Sequence, residues 1–261
     1  MKRLTCSILT SLVSRAALAT LAIGAFPTLA TADPSHAAHQ QGAVHSKPDT
    51  TKTASFDILA AHVHKKGRLV TFHMTTNGKA GADFPKGVGQ LGGAPVYAYV
   101  WPTSLDPSTV GFEGKTGILA LAATSHPDFD DTPLFDEDGD GNLMNDGRLW
   151  HSHWVVLTPT PACGDGALGV RDIPVGTNPA MPATWPGLAI FIDSPGYTPQ
   201  FDGPEIRVDV PFSMPGTLTG VGYDGVTSAL RVNTNIHAPL LCITEIFDVA
   251  SDDLSLPGKI N

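Results

Sequence analysis

Residues 56–76 read FDILAAHVHKKGRLVTFHMTT, two alternating β-prone runs on either side of Lys65-Lys66-Gly67. Side chains along a strand point to opposite faces in turn, and a glycine at the tip supplies the positive φ that a short hairpin loop needs. The spacing therefore predicts an antiparallel hairpin. Similar short runs follow at 96–101, 118–124, 149–157, 188–193, 205–210, 216–221, 229–233 and 240–249. The chain holds 27 glycines and 22 prolines, too many interruptions for long helices. The expected fold class is all-β, an antiparallel β-sandwich or partly closed barrel with long Gly/Pro-rich loops.

Outward from that core, residues 1–32 read as a secretory signal. Lys2, Arg3 and Arg15 lead an apolar run over 16–26, and Ala30-Thr31-Ala32 offers a cleavage site. Residues 33–54 are rich in Ala, His, Gln, Ser and Thr, which predicts a disordered leader, and 55–261 is expected to form a single domain. The three basic residues are the only charges in 1–32, so their removal moves the formal charge from −9 to −12. Such a balance argues against nucleic acid or an anionic membrane surface as partner. No later run is apolar for long enough to span a membrane after signal cleavage. An exported protein, periplasmic or secreted, is expected to join its two remaining cysteines, Cys163 and Cys242, in a disulfide.

The second informative stretch is 128–154, DFDDTPLFDEDGDGNLMNDGRLWHSHW. It concentrates seven aspartates and two asparagines within 128–146 and then turns into an aromatic strand. Asp136, Asp138 and Asp140 alternate ahead of Gly141, the pattern by which a short loop gathers oxygens around a hard cation. Residues 136–142 resemble the calcium loop of EF-hands. The resemblance implies Asp136, Asp138, Asp140 and Asn142 as calcium ligands. Met144 and Gly147 stand where an EF-hand has later ligands, which leaves Asp146 as a substitute. The other reading is a solvated acidic turn, since Asp, Asn and Gly are turn formers. Self-repulsion among so many carboxylates favours the cation. The expected role is a calcium-stabilised binding or scaffold protein rather than an enzyme.

Two His-x-His pairs, His62/His64 and His151/His153, define an alternative. Each pair projects both imidazoles from one face of a strand, and two neighbouring strands of this kind would make a copper or zinc site of a redox protein. His73, His126 and His237 are further candidates. The hairpin also resembles the first strands of haem- or sugar-binding β-sandwich domains of the DOMON type. That resemblance implies Met74 with His151 or His153 as haem ligands, or a sugar-stacking face on Trp101, Trp150, Trp154 or Trp185. A third possibility is a metal-dependent hydrolase, with a cleft where His126, Asp128, Asp130 and Asp131 meet His151 and His153. No Gly-x-Ser-x-Gly or His-Glu-x-x-His motif is present. The glycine-rich GVGQLGG run at 87–93 lacks the strand-to-helix setting of a phosphate loop.

Overall fold

The computed structural model describes residues 42–261 apart from Met214; residues 1–41, with the stretch read as a secretory signal, lie outside the described residues. In chain order the strands are β1 (Val44–His45), β2 (Ile58–Lys66), β3 (Leu69–Thr76), β4 (Pro95–Pro102) and β5 (Ile118–Ser125). Then come β6 (His151–Pro159), β7 (Leu168–Val170), β8 (Ile192–Asp193), β9 (Gln200–Asp202) and β10 (Glu205–Pro211). β11 (Gly222–Tyr223), β12 (Val226–Val232), β13 (Leu241–Val249) and β14 (Gly258–Lys259) complete the set. The fold is all-β and antiparallel, as the punctuation predicts.

β4, β5, β6, β7, β13 and β12 pair in a ring and close a six-stranded barrel. A separate sheet, ordered β1-β2-β3-β10-β9, packs against the outside of that barrel. The hairpin forms as expected, with Val63 opposite Phe72 and Gly67 at φ 63° in its turn. Along β3 the buried residues are Val70, Phe72, Met74 and Thr76, every second position. The Phe72 ring meets Trp101 of β4 at 6.1 Å and Trp154 of β6 at 5.7 Å. Each apolar side chain buried in this layer contributes roughly 1.5–3 kcal/mol relative to exposure.

The barrel encloses a second apolar core. Val96 and Ala98 of β4, Ala120 and Ala122 of β5, and Val155 and Leu157 of β6 all belong to it. β6 thus divides its side chains between two interiors, with Trp154 and Val156 facing the sheet and Val155 and Leu157 facing the barrel. Cys163 and Cys242 form the expected disulfide, with a Cα–Cα separation of 5.4 Å. Gly169 lets the bridge lie close, because a Cβ there would stand 3.1 Å from the Cys163 Sγ.

Three expectations are corrected. Residues 42–54 belong to the fold rather than to a disordered leader: Val44 is buried opposite Ala61, and Lys52 reaches the Asp248 carboxylate at 2.6 Å. A few long-range anchors order a segment whose composition is polar. Residues 216–221 do not form a strand. A 3-10 turn, Pro215–Leu218, occupies them, followed by Gly220 at φ 79°. The run at 188–193 shrinks to β8, and Ile190 forms only an isolated bridge to Asp172.

Candidate metal centre

Strand alternation sets up the centre. On β5, Ala120 and Ala122 face the barrel interior, and two more steps of two lead through Thr124 to His126, just past the strand end. On the adjacent β6, His151 stands opposite Thr124 and His153 opposite Ala122. The chain between the two strands doubles back on itself. His126 N–H donates to the Gly147 carbonyl at 2.7 Å, and the Ser125 hydroxyl donates to the Arg148 carbonyl at 2.7 Å. Gly147 permits the approach, since a Cβ there would lie 1.7 Å from the Phe129 oxygen. The Asp130 carboxylate then accepts from the Thr132 and Asp146 amides, at 2.8 and 2.7 Å. These bonds hold the loop so that Asp131 enters the end of the barrel.

His126, Asp131, His151 and His153 converge there, all four buried. The Asp131 Oδ1 lies 3.2 Å from the Nε2 of each histidine, and the His126 and His151 Nε2 atoms are 2.9 Å apart. The other ring nitrogens fix how each imidazole presents itself. His126 Nδ1 meets the Phe129 carbonyl at 2.9 Å, and His151 Nδ1 meets the Leu149 carbonyl at 2.8 Å. A carbonyl only accepts, so both Nδ1 atoms carry hydrogen. Ser194 gives its hydroxyl proton to the Asp131 carbonyl at 2.7 Å, so at 3.1 Å it can only accept from His153 Nδ1. In the neutral rings all three Nε2 lone pairs therefore face the common centre.

Such an arrangement calls for positive charge. Burial works against the imidazolium of His126, yet the Asp131 carboxylate and the Phe129 carbonyl outweigh it and raise its pKa. Burial, helped by the neighbouring histidines, lowers His151 to about 4. Burial opposes ionisation of Asp131, but the surrounding imidazoles hold its carboxyl well below the usual range. A proton shared between His126 and His151 leaves Asp131 Oδ1 and His153 Nε2 buried without hydrogen-bond partners. One cation would satisfy all four atoms. All four donor atoms lie within 4.8 Å of one another, and the residue types, three imidazoles and one carboxylate, are those that bind zinc-like ions. The group could hold a metal ion.

The two His-x-His pairs do not meet. His62 and His64 stack on each other with centroids 5.0 Å apart on β2, in the outer sheet, whereas His151 and His153 lie inside the barrel. Their partners are instead His126 and Asp131. Met74 is fully buried in the layer between sheet and barrel, away from these histidines, which removes it as a haem ligand alongside them. Trp101 and Trp154 are fully buried too and offer no face for stacking a sugar. His73 pairs with Glu205, and His237 with Asp172.

The acidic stretch divides into two groups. Asp136, Asp138 and Asp140 approach one another at its exposed end. Asp136 accepts from the amides of Gly139, Asp140 and Gly141, Asp138 from that of Asp140, and Asp140 from that of Asn142. Asn142 in turn accepts from the Met144 amide. Asp146 belongs elsewhere, with Asp130 and Glu137. Its Oδ2 accepts from the Glu137 amide, while its Oδ1 is buried without a hydrogen-bond partner. Burial, with the charges of Asp130 and Asp146, raises the Glu137 pKa. Asp128 turns away from the centre and accepts from the amides of Val88 and Gly89.

Comparison with protein-family models, curated proteins and solved structures gives no match. Geometry alone carries the functional reading.

Proposed function

We propose that the protein is an exported metalloprotein that binds one transition-metal ion through His126, Asp131, His151 and His153. The observation that carries this reading is the pinning of three Nδ1 atoms, which turns three Nε2 lone pairs toward a buried carboxylate. Imidazole nitrogens with one carboxylate suit borderline ions such as zinc, copper, iron or cobalt, whereas calcium prefers an all-oxygen shell. The disulfide and the apolar run near the start of the sequence support export. Elemental analysis of untagged protein purified without chelator tests the reading. It predicts close to one equivalent of a transition metal, lost when His151 and His153 are both replaced by alanine. A wild-type protein that neither retains nor takes up such an ion would overturn it.

A second reading concerns calcium. The orphaned Asp146 Oδ1 beside Asp130 and Glu137 favours a hard cation at this inner group. The carboxylates of the 136–142 run already serve main-chain amides. Calcium bound here would brace the loop that carries Asp131. A calcium titration of the melting midpoint checks this, with Asp146→Asn expected to abolish the rise.

A further inference from the structure

The four donors lie beside a cavity. The barrel interior holds a chamber of about 70 Å³ walled by Val96, Ala98, Ala122, Val155, Leu230 and Ile243. His126, Asp131 and His153 line it as well, while His151 does not. One triangular face of the donor set, made by those three residues, therefore looks into the chamber. Thr124 lines the same space, and its buried hydroxyl has no hydrogen-bond partner. It sits two residues before His126 on β5 and opposite His151. Ile246 and Leu254 also line the chamber and reach solvent, which gives a route inward.

We propose that this chamber admits a small uncharged molecule of two or three heavy atoms that coordinates the bound metal and accepts a hydrogen bond from Thr124. The proposal rests on the transition-metal reading and adds a ligand to it. Size sets the upper limit. A dry cavity of roughly 150 Å³ accommodates the six carbons of benzene, so a chamber of about half that volume suits two or three atoms. The wall sets the chemistry. Beyond the donor residues it is almost wholly aliphatic, so an ion entering it would lose hydration without compensation. The unpartnered hydroxyl sets the orientation, since it rewards a ligand whose free end accepts a hydrogen bond. Dioxygen and nitric oxide belong to this class.

Cobalt(II) is the suitable metal for the test, because its visible bands report both loading and coordination number. Nitric oxide added without oxygen to the cobalt-loaded full-length protein is the probe. Wild-type protein is expected to show saturable spectral change. Ala98→Leu, which fills the chamber from a residue outside the donor set, is expected to bind cobalt as before and nitric oxide at least tenfold more weakly. Thr124→Val keeps the shape and removes the hydroxyl, and is expected to weaken nitric oxide several-fold. It serves also should Ala98→Leu fail to fold. Cobalt uptake with a spectrum indifferent to nitric oxide would overturn this proposal alone. So would wild-type nitric oxide affinity in both variants. Absence of cobalt uptake would overturn the transition-metal reading and this proposal together.

Discussion

His126 and His151 face each other Nε2 to Nε2 at 2.9 Å, although each ring holds its other nitrogen against a main-chain carbonyl. Two neutral imidazoles arranged in this way would oppose lone pair to lone pair. The contact requires a proton or a metal ion, and the two compete for the same place. Metal affinity is thereby tied to pH, loop geometry and the groups behind the ligands.

Asp131 is the only carboxylate in the donor set, and it meets all three histidines. Asp131→Asn keeps the size and removes the charge. It is expected to lower metal affinity by about two orders of magnitude or more while the β-sheet circular dichroism stays unchanged. Wild-type metal content in this variant would exclude Asp131 as a ligand.

Ser194 touches no metal position, yet its hydroxyl accepts a hydrogen bond from His153 Nδ1 and donates one to the Asp131 carbonyl. Removal of such a supporting group typically costs about 10- to 100-fold in metal affinity. Ser194→Ala is expected to fall in that range, read by competition with a coloured chelator. Complete metal loss or no effect at all would contradict a purely orienting role.

Gly147 has no room for a side chain, because a Cβ would lie 1.7 Å from Phe129 O and 2.7 Å from His126 O. Gly147→Ala must push the loop away from the end of β5. Overpacking of this kind costs about 1–3 kcal/mol or more, so the melting midpoint is expected to drop and metal affinity to fall with it. Gly139→Ala is a useful control, since a Cβ there meets nothing within 4 Å and only its φ of 74° is strained.

The pH dependence follows from the two opposed shifts. His151 is lowered by burial from 6.5 to about 4, so its contribution is intact above about pH 6.5 and is lost as the pH falls toward 4. His126 is raised above 6.5 because Asp131 and the Phe129 carbonyl outweigh its burial, so its contribution is present below about pH 6.5 and is lost as the pH rises through the folded value. Metal-free protein is expected to lose stability on both sides of that region. Metal affinity is expected to rise with pH as His126 gives up its proton. Melting curves of the metal-free form, compared with those of His126→Gln, check the alkaline limb.

Much of this architecture is legible in local patterning. The β2–β3 hairpin, β4, β5, β6, β10, β12 and β13 follow from period-two runs and turn residues. Alternation also places His151 and His153 on one face, and the grouping of His126 and an aspartate with them is among the arrangements the sequence suggests. It does not say which of two faces is the interior of a closed barrel, so His62/His64 and His151/His153 look equivalent on paper. Asp131 is chosen from among its neighbours by contacts across the loop, such as Asp146 N–H to Asp130, that no local pattern encodes. The same holds for Asp146, whose companions are Asp130 and Glu137 rather than the 136–142 run.

β6 is a party wall between two rooms. His151 and His153 turn to the donor cluster at the end of the barrel, while Trp154 and Val156 give onto the layer beneath the outer sheet. A shift of one residue along this strand would turn every side chain to the other room. It would leave imidazoles in an apolar layer and an indole among the donors. Deletion or insertion of a single residue within β6 is therefore a double fault, damaging the packing of sheet on barrel and the proposed metal site in one stroke. Length changes are better tolerated in loops such as 175–177, where Val175 is 84% exposed.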